Sequence, residues 1–251
     1  MSIRYKRDGQ TGYLLIDRPD RRNALSLEMW QAIPDLLDQA MQENGLRVLV
    51  VKAAAGGSFC AGADIREMVD HKDDPEWLKA NQDAIFAAQH RLTRFPVPTL
   101  AFVEGDCIGG GCGLALACDI RVAAPTARFG ITPAKLGLVY PFHDIKLLVD
   151  LVGPGQAKRL LYTGDLIDAA EAHRIGLTEL LADDVESLRS AIAAASASSN
   201  KEMKQFVRQV LDGQTDDDAA TKTVFAAAFA GADFAEGTSA FVEKRRPEFK
   251  D

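Results

Sequence analysis

Apolar segments that alternate with amphipathic segments constrain the fold of this chain most strongly. Residues 48–51 and 99–103 are continuous apolar runs, typical of strands covered on both faces, and residues 120–124 predict a further strand. Helices are predicted between them, from Ser26 as N-cap to about residue 44, over residues 75–94 and over residues 109–117. Strands alternating with helices predict an α/β core built from crossover units.

The two ends of the chain depart from this alternation. Residues 3–17 predict a strand pair around the turn signal Asp8-Gly9. From about residue 142 onward the pattern is nearly all helix, with one short strand predicted within residues 177–181. The sequence therefore predicts a core over residues 1–190 and a helical region over residues 191–251.

Composition excludes several classes of partner. The 251 residues carry a net charge of −7, which argues against a nucleic acid or an acidic membrane surface as the main partner. There is no run of eighteen apolar residues, so no transmembrane helix is expected. The N-terminus lacks the apolar stretch of a secretory signal, and a cytoplasmic location is the default expectation.

Cysteine and histidine spacing gives no metal motif. The four cysteines form no C-x-x-C pair and the four histidines form no H-E-x-x-H pattern, so we expect no metal site. The cysteines lie in apolar and glycine-rich segments, where buried, inert thiols are the usual outcome: Cys60, Cys107, Cys112 and Cys118.

Two segments about fifty residues apart carry the strongest functional signal. Residues 58–65 and 108–115 each expose main-chain N–H groups where a loop turns into a helix. Two such donors, converging from different segments, hold an oxygen that becomes negative during a reaction. No carboxylate follows the glycine triplet of residues 109–111, and none lies in residues 129–137. The sequence predicts an oxyanion site, but it shows no carboxylate nearby that could donate or accept a proton during the reaction.

These segments belong to an ordered set of motifs that covers essentially the whole chain. The set comprises Arg18-Pro19, Asn23-Ala24-Leu25, Phe59-x-Ala61-Gly62-Ala63-Asp64-Ile65, Gly109-Gly110-Gly111-Cys112, Ala117-Cys118-Asp119-Ile120-Arg121, Phe129-Gly130, Leu136-Gly137, Tyr162-Thr163-Gly164 and Glu236-Gly237-Thr238. In this order and spacing the chain resembles the crotonase superfamily, also called the enoyl-CoA hydratase/isomerase family.

The resemblance implies a fold and a chemistry. The fold is an α/β spiral of ββα units with a helical C-terminal region that packs on the core and on neighbouring subunits, in homotrimers or in hexamers made of two trimers. The chemistry acts on acyl-CoA thioesters, typical of fatty acid metabolism, through an enolate whose oxygen lies between two N–H donors. By motif position these donors are Ala61 and Gly110. No separate cofactor is implied, because coenzyme A is part of the substrate.

Substrate contacts follow from the same resemblance. Arg22 and Ala24 match the segment that runs past coenzyme A, and the C-terminal helices match the part that reaches the acyl chain and the phosphates. The residues that the resemblance assigns to substrate binding are Arg22, Ala24, Ala63, Asp64, Ile65, Gly109, Gly113, Pro133, Phe225, Phe241 and Lys244. A cationic helix end exposed to solvent is the alternative interpretation of Lys244.

The absent glutamates change the predicted reaction. Hydratases of the family resemble one another in two glutamates, whose positions are Gly113 and Pro133 here. Neither residue transfers a proton, so efficient hydration is not expected, and a single-base isomerase is disfavoured too. A lyase-type reaction such as decarboxylation needs the oxyanion site and only a late protonation. The stretch from Thr132 to Tyr140 is similar to that of methylmalonyl-CoA decarboxylases, from which the chain departs at Ala63 and Gly113.

Two side chains remain as candidates for proton chemistry. Tyr140 either orients or protonates the acyl group or closes the pocket as a loop aromatic. His143 titrates near neutral pH, and with Asp144 it also fits an ordinary helix start. The open alternatives are an isomerase or hydratase that uses other residues, an acyl-CoA hydrolase with water activated by His143, and an inactive acyl-CoA-binding protein.

Overall fold

The computed structural model describes residues 2–250, and its centre is a six-stranded sheet. The strand order is β1-β2-β3-β4-β6-β9, in which β1 and β2 are antiparallel and the remaining neighbours are parallel. Its strands are β1 (Ile3–Asp8), β2 (Thr11–Ile16), β3 (Val48–Ala53), β4 (Thr99–Val103), β6 (Ile120–Ala123) and β9 (Leu180–Leu181). The predicted strand pair and the three predicted inner strands are confirmed.

A second, three-stranded sheet lies beside the first. It has the order β5-β7-β8 and comprises β5 (Asp106–Ile108), β7 (Arg128–Gly130) and β8 (Ile167–Asp168). The sequence pattern does not predict these strands, because two or three residues are too few to show a period. This sheet positions the glycine-led loop, since β5 ends at Ile108 and the loop follows directly.

Among the residues that the structure describes, ten α-helices follow the predicted alternation closely. They are α1 (Leu27–Gln42), α2 (Ile65–Asp70), α3 (Pro75–Thr93), α4 (Gly110–Leu116), α5 (Phe142–Thr163), α6 (Ala169–Arg174), α7 (Glu186–Ala194), α8 (Ala197–Leu211), α9 (Ala219–Ala228) and α10 (Ala232–Glu243). Ser26 caps α1 as predicted, accepting the Met29 N–H at 3.4 Å. The helical pattern predicted from residue 142 onward begins with α5, which has a break at Gly153, where φ is 70°.

The parallel strands are buried on both faces, as their apolar composition predicts. Leu49 and Val51 of β3 point into the larger apolar cluster, which also contains core residues of α1, α3 and α4. Val48 and Val50 point to the opposite face, into a smaller cluster against which side chains of α7 pack. The core therefore holds β3, β4 and the loops at their ends in fixed positions.

The C-terminal helices leave much apolar surface uncovered in the single chain. Phe225 on α9 and Phe241 on α10 are 66% and 84% exposed. The guanidinium of Arg47 connects this region to the core by hydrogen bonds to the carbonyl oxygens of Ala193, Ala195 and Phe249. The helical content agrees with the prediction for residues 191–251, whereas the boundary at residue 190 stays a prediction. Within residues 2–250, no helix is long and apolar enough to cross a membrane.

Candidate active site

The glycine-led loop presents a free amide at the start of α4. Gly109 has φ 51° and ψ −114°, a backbone conformation that residues with a Cβ rarely adopt. Its own N–H donates to the carbonyl of Gly130 at 2.8 Å, which fixes the loop on the small sheet. Gly110 is the first residue of α4, where N–H groups have no acceptor within the helix. Within the described chain, the Gly110 N–H donates to no other group.

A second free amide lies on the loop before α2. Leu25 and Ala63 form a parallel bridge, in which Leu25 bonds to the Gly62 carbonyl at 2.8 Å and to the Asp64 N–H at 3.0 Å. In this pattern the N–H of Ala63 points away from Leu25. Among residues 2–250 it finds no acceptor. A Cβ placed on Gly110 would lie 3.6 Å from the Ala63 nitrogen, so the two free amides border one small space.

The backbone N–H of Ala61 already has a hydrogen-bond acceptor within the protein. It donates to the carbonyl of Arg22 at 3.0 Å, on the side of the loop away from the Cys60–Cys107 bridge. It is therefore unavailable to a ligand, and the prediction that Ala61 supplies a donor is wrong. The physical reason is a break in the extended course of this loop at Gly62, where φ is 102°. After the break the N–H of Asp64 pairs with Leu25, and the N–H of Ala63 is left free.

Tyr140 holds the glycine-led loop from the opposite side. Its hydroxyl donates to the carbonyl of Gly109 at 3.0 Å, and the Gly113 N–H reaches the same oxygen at 3.1 Å. The Gly109 carbonyl and the Gly110 N–H belong to one planar trans peptide, so fixing the carbonyl aims the N–H the opposite way. Burial, together with Asp144, raises the pKa of Tyr140 well above its usual value. The structure thus gives this hydroxyl a holding role, and the predicted protonation of the acyl group by Tyr140 is not supported.

Other side chains fill the space beside Gly113, the position to which the resemblance assigns a glutamate. Gly113 is buried, and a Cβ on it would lie 2.9 Å from both carboxylate oxygens of Asp144 and still nearer to Nε2 of Gln89. The second position, Pro133, begins a short 3-10 helix, Pro133–Leu136, and carries no titratable group. Gly113 therefore leaves no open gap, because Gln89 and Asp144, a buried polar pair, occupy the space beside it.

His143 contacts Gln89 and lies beside Asp144, the two polar residues at Gly113. Asp144 is 1% exposed, and burial raises its pKa to about 7, although the amide of Gln89 partly offsets this shift. His143 Nε2 hydrogen-bonds Oε1 of Gln89 and lies 3.5 Å from Oδ1 of Asp144. Burial, followed by the charge of His90, lowers the pKa of His143. The sequence indicates His143 as a candidate and Asp144 as part of a helix start. It does not indicate Gln89, because no local pattern links residue 89 to residue 144.

A buried tryptophan adds a further donor near Gly110. A Cβ on Gly110 would lie 3.3 Å from Cζ2 of Trp30, so the indole packs directly against this glycine. The indole Nε1 is buried and lacks a hydrogen-bond partner in the described part of the protein. The sequence predicts a helix around Trp30, but no local pattern marks this residue as part of a site.

The residues predicted to run past coenzyme A lie around the Ala63 loop. Arg22 is exposed, and the half-buried Ala24 accepts a hydrogen bond from Arg18 at 3.0 Å. Asp64 caps α2 and pairs with Arg18 at 2.8 Å; burial opposes ionisation, but these hydrogen bonds lower its pKa overall. Ile65 is 46% exposed. Their contact with coenzyme A stays a prediction, and the Asp64 carboxylate is occupied by structural bonds.

The predicted C-terminal contacts lie on exposed helix surface. Phe225 stacks edge-on with Phe229, and Lys244 ends α10 in a left-handed conformation. Within residues 2–250, no hydrogen bond, ion pair or ring contact joins Phe225, Phe241 or Lys244 to Ala63 or Gly110. Their role in substrate binding stays a prediction.

All four cysteines are buried, as predicted. Burial raises the pKa of Cys60 and of Cys118 to about 12, which keeps both thiols protonated at neutral pH. Cys112 donates to the carbonyl of Cys107 at 2.8 Å. These contacts fit inert core thiols beneath the glycine-led loop.

Comparison with known proteins places this geometry in context. Residues 8–251 match the sequence model described as "Enoyl-CoA hydratase/isomerase". A crotonyl-CoA hydratase from Syntrophomonas wolfei is 32% identical over 267 residues, covering 99% of this chain and 97% of the relative. "Probable enoyl-CoA hydratase echA8" from Mycobacterium tuberculosis is 32% identical over 255 residues, with the same coverage of each chain.

Solved structures agree over the whole length. An enoyl-CoA hydratase/isomerase family protein from Hyphomonas neptunium superimposes with a TM-score of 0.95 at 37% identity, covering 100% of this chain and 98% of that one. An enoyl-CoA hydratase from Bacillus anthracis gives a TM-score of 0.91 at 28% identity, with 100% and 99% coverage. The likeness spans the entire chain rather than the glycine-rich segments alone, which confirms the predicted fold.

Proposed function

Because the chain belongs to the enoyl-CoA hydratase/isomerase family, we propose that it binds the thioester oxygen of an acyl-CoA between the amides of Ala63 and Gly110. One observation carries this proposal: two neighbouring N–H groups without an acceptor in the described chain. Donors of this kind stabilise the negative oxygen of an enolate, and the loss of one donor typically costs about 10²–10³ in rate.

We propose a lyase-type reaction, such as decarboxylation, in preference to hydration. Gly113 and Pro133 stand where hydratases of the family resemble one another in glutamates, and neither transfers a proton. Adding water needs both a base and an acid, each contributing about 10²–10⁴ in rate. Decarboxylation needs no base, because the breaking carbon–carbon bond supplies the electrons of the enolate. Only one proton must then be delivered.

The other candidate activities find less support. Hydrolysis would need His143 to activate water, but its Nε2 is bonded to Gln89. An inactive binding protein would not need two unpaired amides side by side, because binding alone does not require an oxyanion site. Hydration or isomerisation through other residues would have to use Asp144, the one carboxylate at the Gly113 position.

The exposed apolar side chains of the C-terminal helices support a trimeric or hexameric assembly as part of this proposal. Phe225, Phe229, Phe234, Phe241 and Val242 are each at least 46% exposed in the single chain. An apolar surface of this kind is typical of protein–protein contact. In such an assembly, Phe225, Phe241 and Lys244 would be placed to contact acyl-CoA.

A product-resolved assay tests the proposed function. The purified protein is incubated separately with methylmalonyl-CoA, crotonyl-CoA and saturated acyl-CoAs, and products are followed by mass. We expect CO₂ loss from the malonyl-type thioester and little hydration of crotonyl-CoA. Rapid crotonyl-CoA hydration would contradict the lyase assignment, and release of free coenzyme A alone would indicate a hydrolase.

A glycine variant tests the oxyanion site itself. Gly110→Ala would place a Cβ 3.3 Å from the Trp30 ring and 3.6 Å from the Ala63 nitrogen, within the proposed oxygen site. We expect turnover to fall at least 100-fold. Gly56→Ala is the matched control, because a Cβ there meets no atom within 4 Å. Equal turnover in the two variants would contradict the proposed role of Gly110.

A further inference from the structure

Asp144 has the surroundings of a reactive group rather than of a structural carboxylate. It is 1% exposed, and its Oδ1 lacks a hydrogen-bond partner within the described residues. Within residues 2–250, Asp144 forms an ion pair with no lysine or arginine, and only the ring of His143 lies near it, at 3.5 Å. A buried carboxylate without a cation destabilises the folded state. Its retention in the core therefore requires a reason other than stability.

The position of Asp144 relative to the free amides supplies that reason. Its two oxygens lie 2.9 Å from the site that a Cβ on Gly113 would occupy. Gly113 is three residues after Gly110 on α4, so both face the same side, with Cβ positions about 5–6 Å apart. A Cβ on Gly110 would in turn lie 3.6 Å from the Ala63 amide. Asp144 is thus one helix turn from the proposed oxygen site, which is about the span of a short acyl group.

We propose that Asp144 is the catalytic acid of this site, delivering a proton from α5 to the α-carbon of the enolate at the position where Gly113 lacks a side chain. This proposal rests on the function proposed above. It gives the Gly113 position a purpose: glycine admits a carboxylate from another helix where a side chain on α4 would exclude it.

With a malonyl-type thioester, the proposed reaction is decarboxylation followed by protonation of the enolate. The bond between the α-carbon and the departing carboxylate breaks, CO₂ leaves, and the electron pair forms the enolate held by Ala63 and Gly110. The O–H bond of Asp144 then breaks while a C–H bond forms at the α-carbon. Asp144 is left as a carboxylate, and a proton from water restores the acid. One proton is consumed for each CO₂ released.

Protonation of the resting acid agrees with its surroundings. Burial raises the pKa of Asp144 to about 7, so much of it is protonated at neutral pH. His143, half-buried beside it, links Asp144 to the groove that His90, Arg94, Lys146, Arg208 and Asp212 line. The titratable groups packed against Asp144 are His143 on its own helix and Tyr140 in the preceding loop, and Gln89 of α3 is neutral. Tyr140 stays protonated throughout this range, which leaves Asp144 as the acid and His143 as its route to solvent.

The test compares Asp144→Asn with the wild-type protein on methylmalonyl-CoA in D₂O. We expect the variant to bind the thioester but to decarboxylate at least 100-fold more slowly, with loss of stereospecific deuterium incorporation at the α-carbon. Wild-type kcat is expected to fall as the pH rises through about 7, because only the protonated acid reacts, and the variant loses this dependence. Asp150→Asn, on the same helix and paired with Lys146 at the surface, is the matched control.

The outcomes separate this proposal from the function on which it rests. If the wild type decarboxylates and Asp144→Asn keeps its rate, stereochemistry and pH profile, Asp144 is not the acid, whereas the acyl-CoA function stands. If the Asn variant does not fold, the wild-type pH profile decides, and a kcat constant from pH 5.5 to 9 would contradict the proposal. If the wild type neither decarboxylates nor exchanges α-protons of butyryl-CoA with D₂O, both proposals fail.

Discussion

Replacing Asp144 by asparagine is expected to change how the free energy of unfolding depends on pH. The carboxyl is buried without a lysine or arginine partner, and its pKa rises from 3.8 to about 7 in the folded protein. Asparagine keeps the size of the side chain and removes the titration. The variant therefore isolates the contribution of this one proton to stability.

The magnitude follows from the size of the pKa shift. Below about pH 4 the carboxyl is neutral in both states, and its contribution to stability is fully present. Between about pH 4 and pH 7 the folded state keeps a proton that the unfolded state releases, so stability falls as the pH rises. One pKa unit corresponds to about 1.4 kcal/mol, and the whole shift to about 4 kcal/mol. Above about pH 7 the loss is complete.

The assay is urea unfolding of both proteins at fixed concentration from pH 4 to pH 8. We expect the free-energy difference between variant and wild type to move by up to about 4 kcal/mol in favour of the variant across this range. His143 titrates nearby with the opposite sign, because its lowered pKa makes stability rise with pH below about 6.5. Repeating the comparison in a His143→Gln background removes that contribution.

A surface carboxylate provides the control. Asp150→Asn removes a partly exposed pair with Lys146 and is expected to change stability by no more than about 1 kcal/mol, without the steep dependence between pH 4 and pH 7. If wild type and Asp144→Asn show parallel stability curves over this range, the raised pKa of Asp144, and with it the assignment of a buried acid, is refuted.

Two further variants test the packing around the site. Gly113→Ala would place a Cβ 2.9 Å from both oxygens of Asp144 and is expected to destabilise the protein by about 1–3 kcal/mol in thermal unfolding. Gly155→Ala is the control, because a Cβ there meets nothing within 4 Å and should change stability far less. Equal effects of the two substitutions would contradict the close packing at Gly113. Tyr140→Phe removes the 3.0 Å bond to the Gly109 carbonyl and is expected to lower kcat about tenfold with KM nearly unchanged. An unchanged kcat, measured by steady-state kinetics, would show that Tyr140 does not hold the donor in place.

Local sequence patterns predicted most of the elements that support the site. The buried runs of β3 and β4, the Ser26 cap of α1 and the helix after the glycine triplet depend on residues close together in sequence. The family resemblance added the order in which these units assemble. The short strands of the small sheet escaped prediction because pairing partners, rather than composition, define them.

The details of the site depended on contacts between distant segments. The choice between the amides of Ala61 and Ala63 follows from the pairing of this loop with Arg22 and Leu25, which the motif alone does not specify. The acid at the Gly113 position comes from α5, thirty-one residues later, and Gln89 comes from α3. The sequence shows a glycine at residue 113, but it does not show that the carboxyl group of Asp144 lies beside that glycine.

The most direct measurement of the central claim is a crystal structure of the protein with bound butyryl-CoA. We expect the thioester oxygen to lie about 2.7–3.2 Å from the nitrogens of both Ala63 and Gly110, with the acyl chain directed toward Asp144. A thioester oxygen that contacts neither nitrogen, or an acyl group bound elsewhere on the protein, would contradict the account.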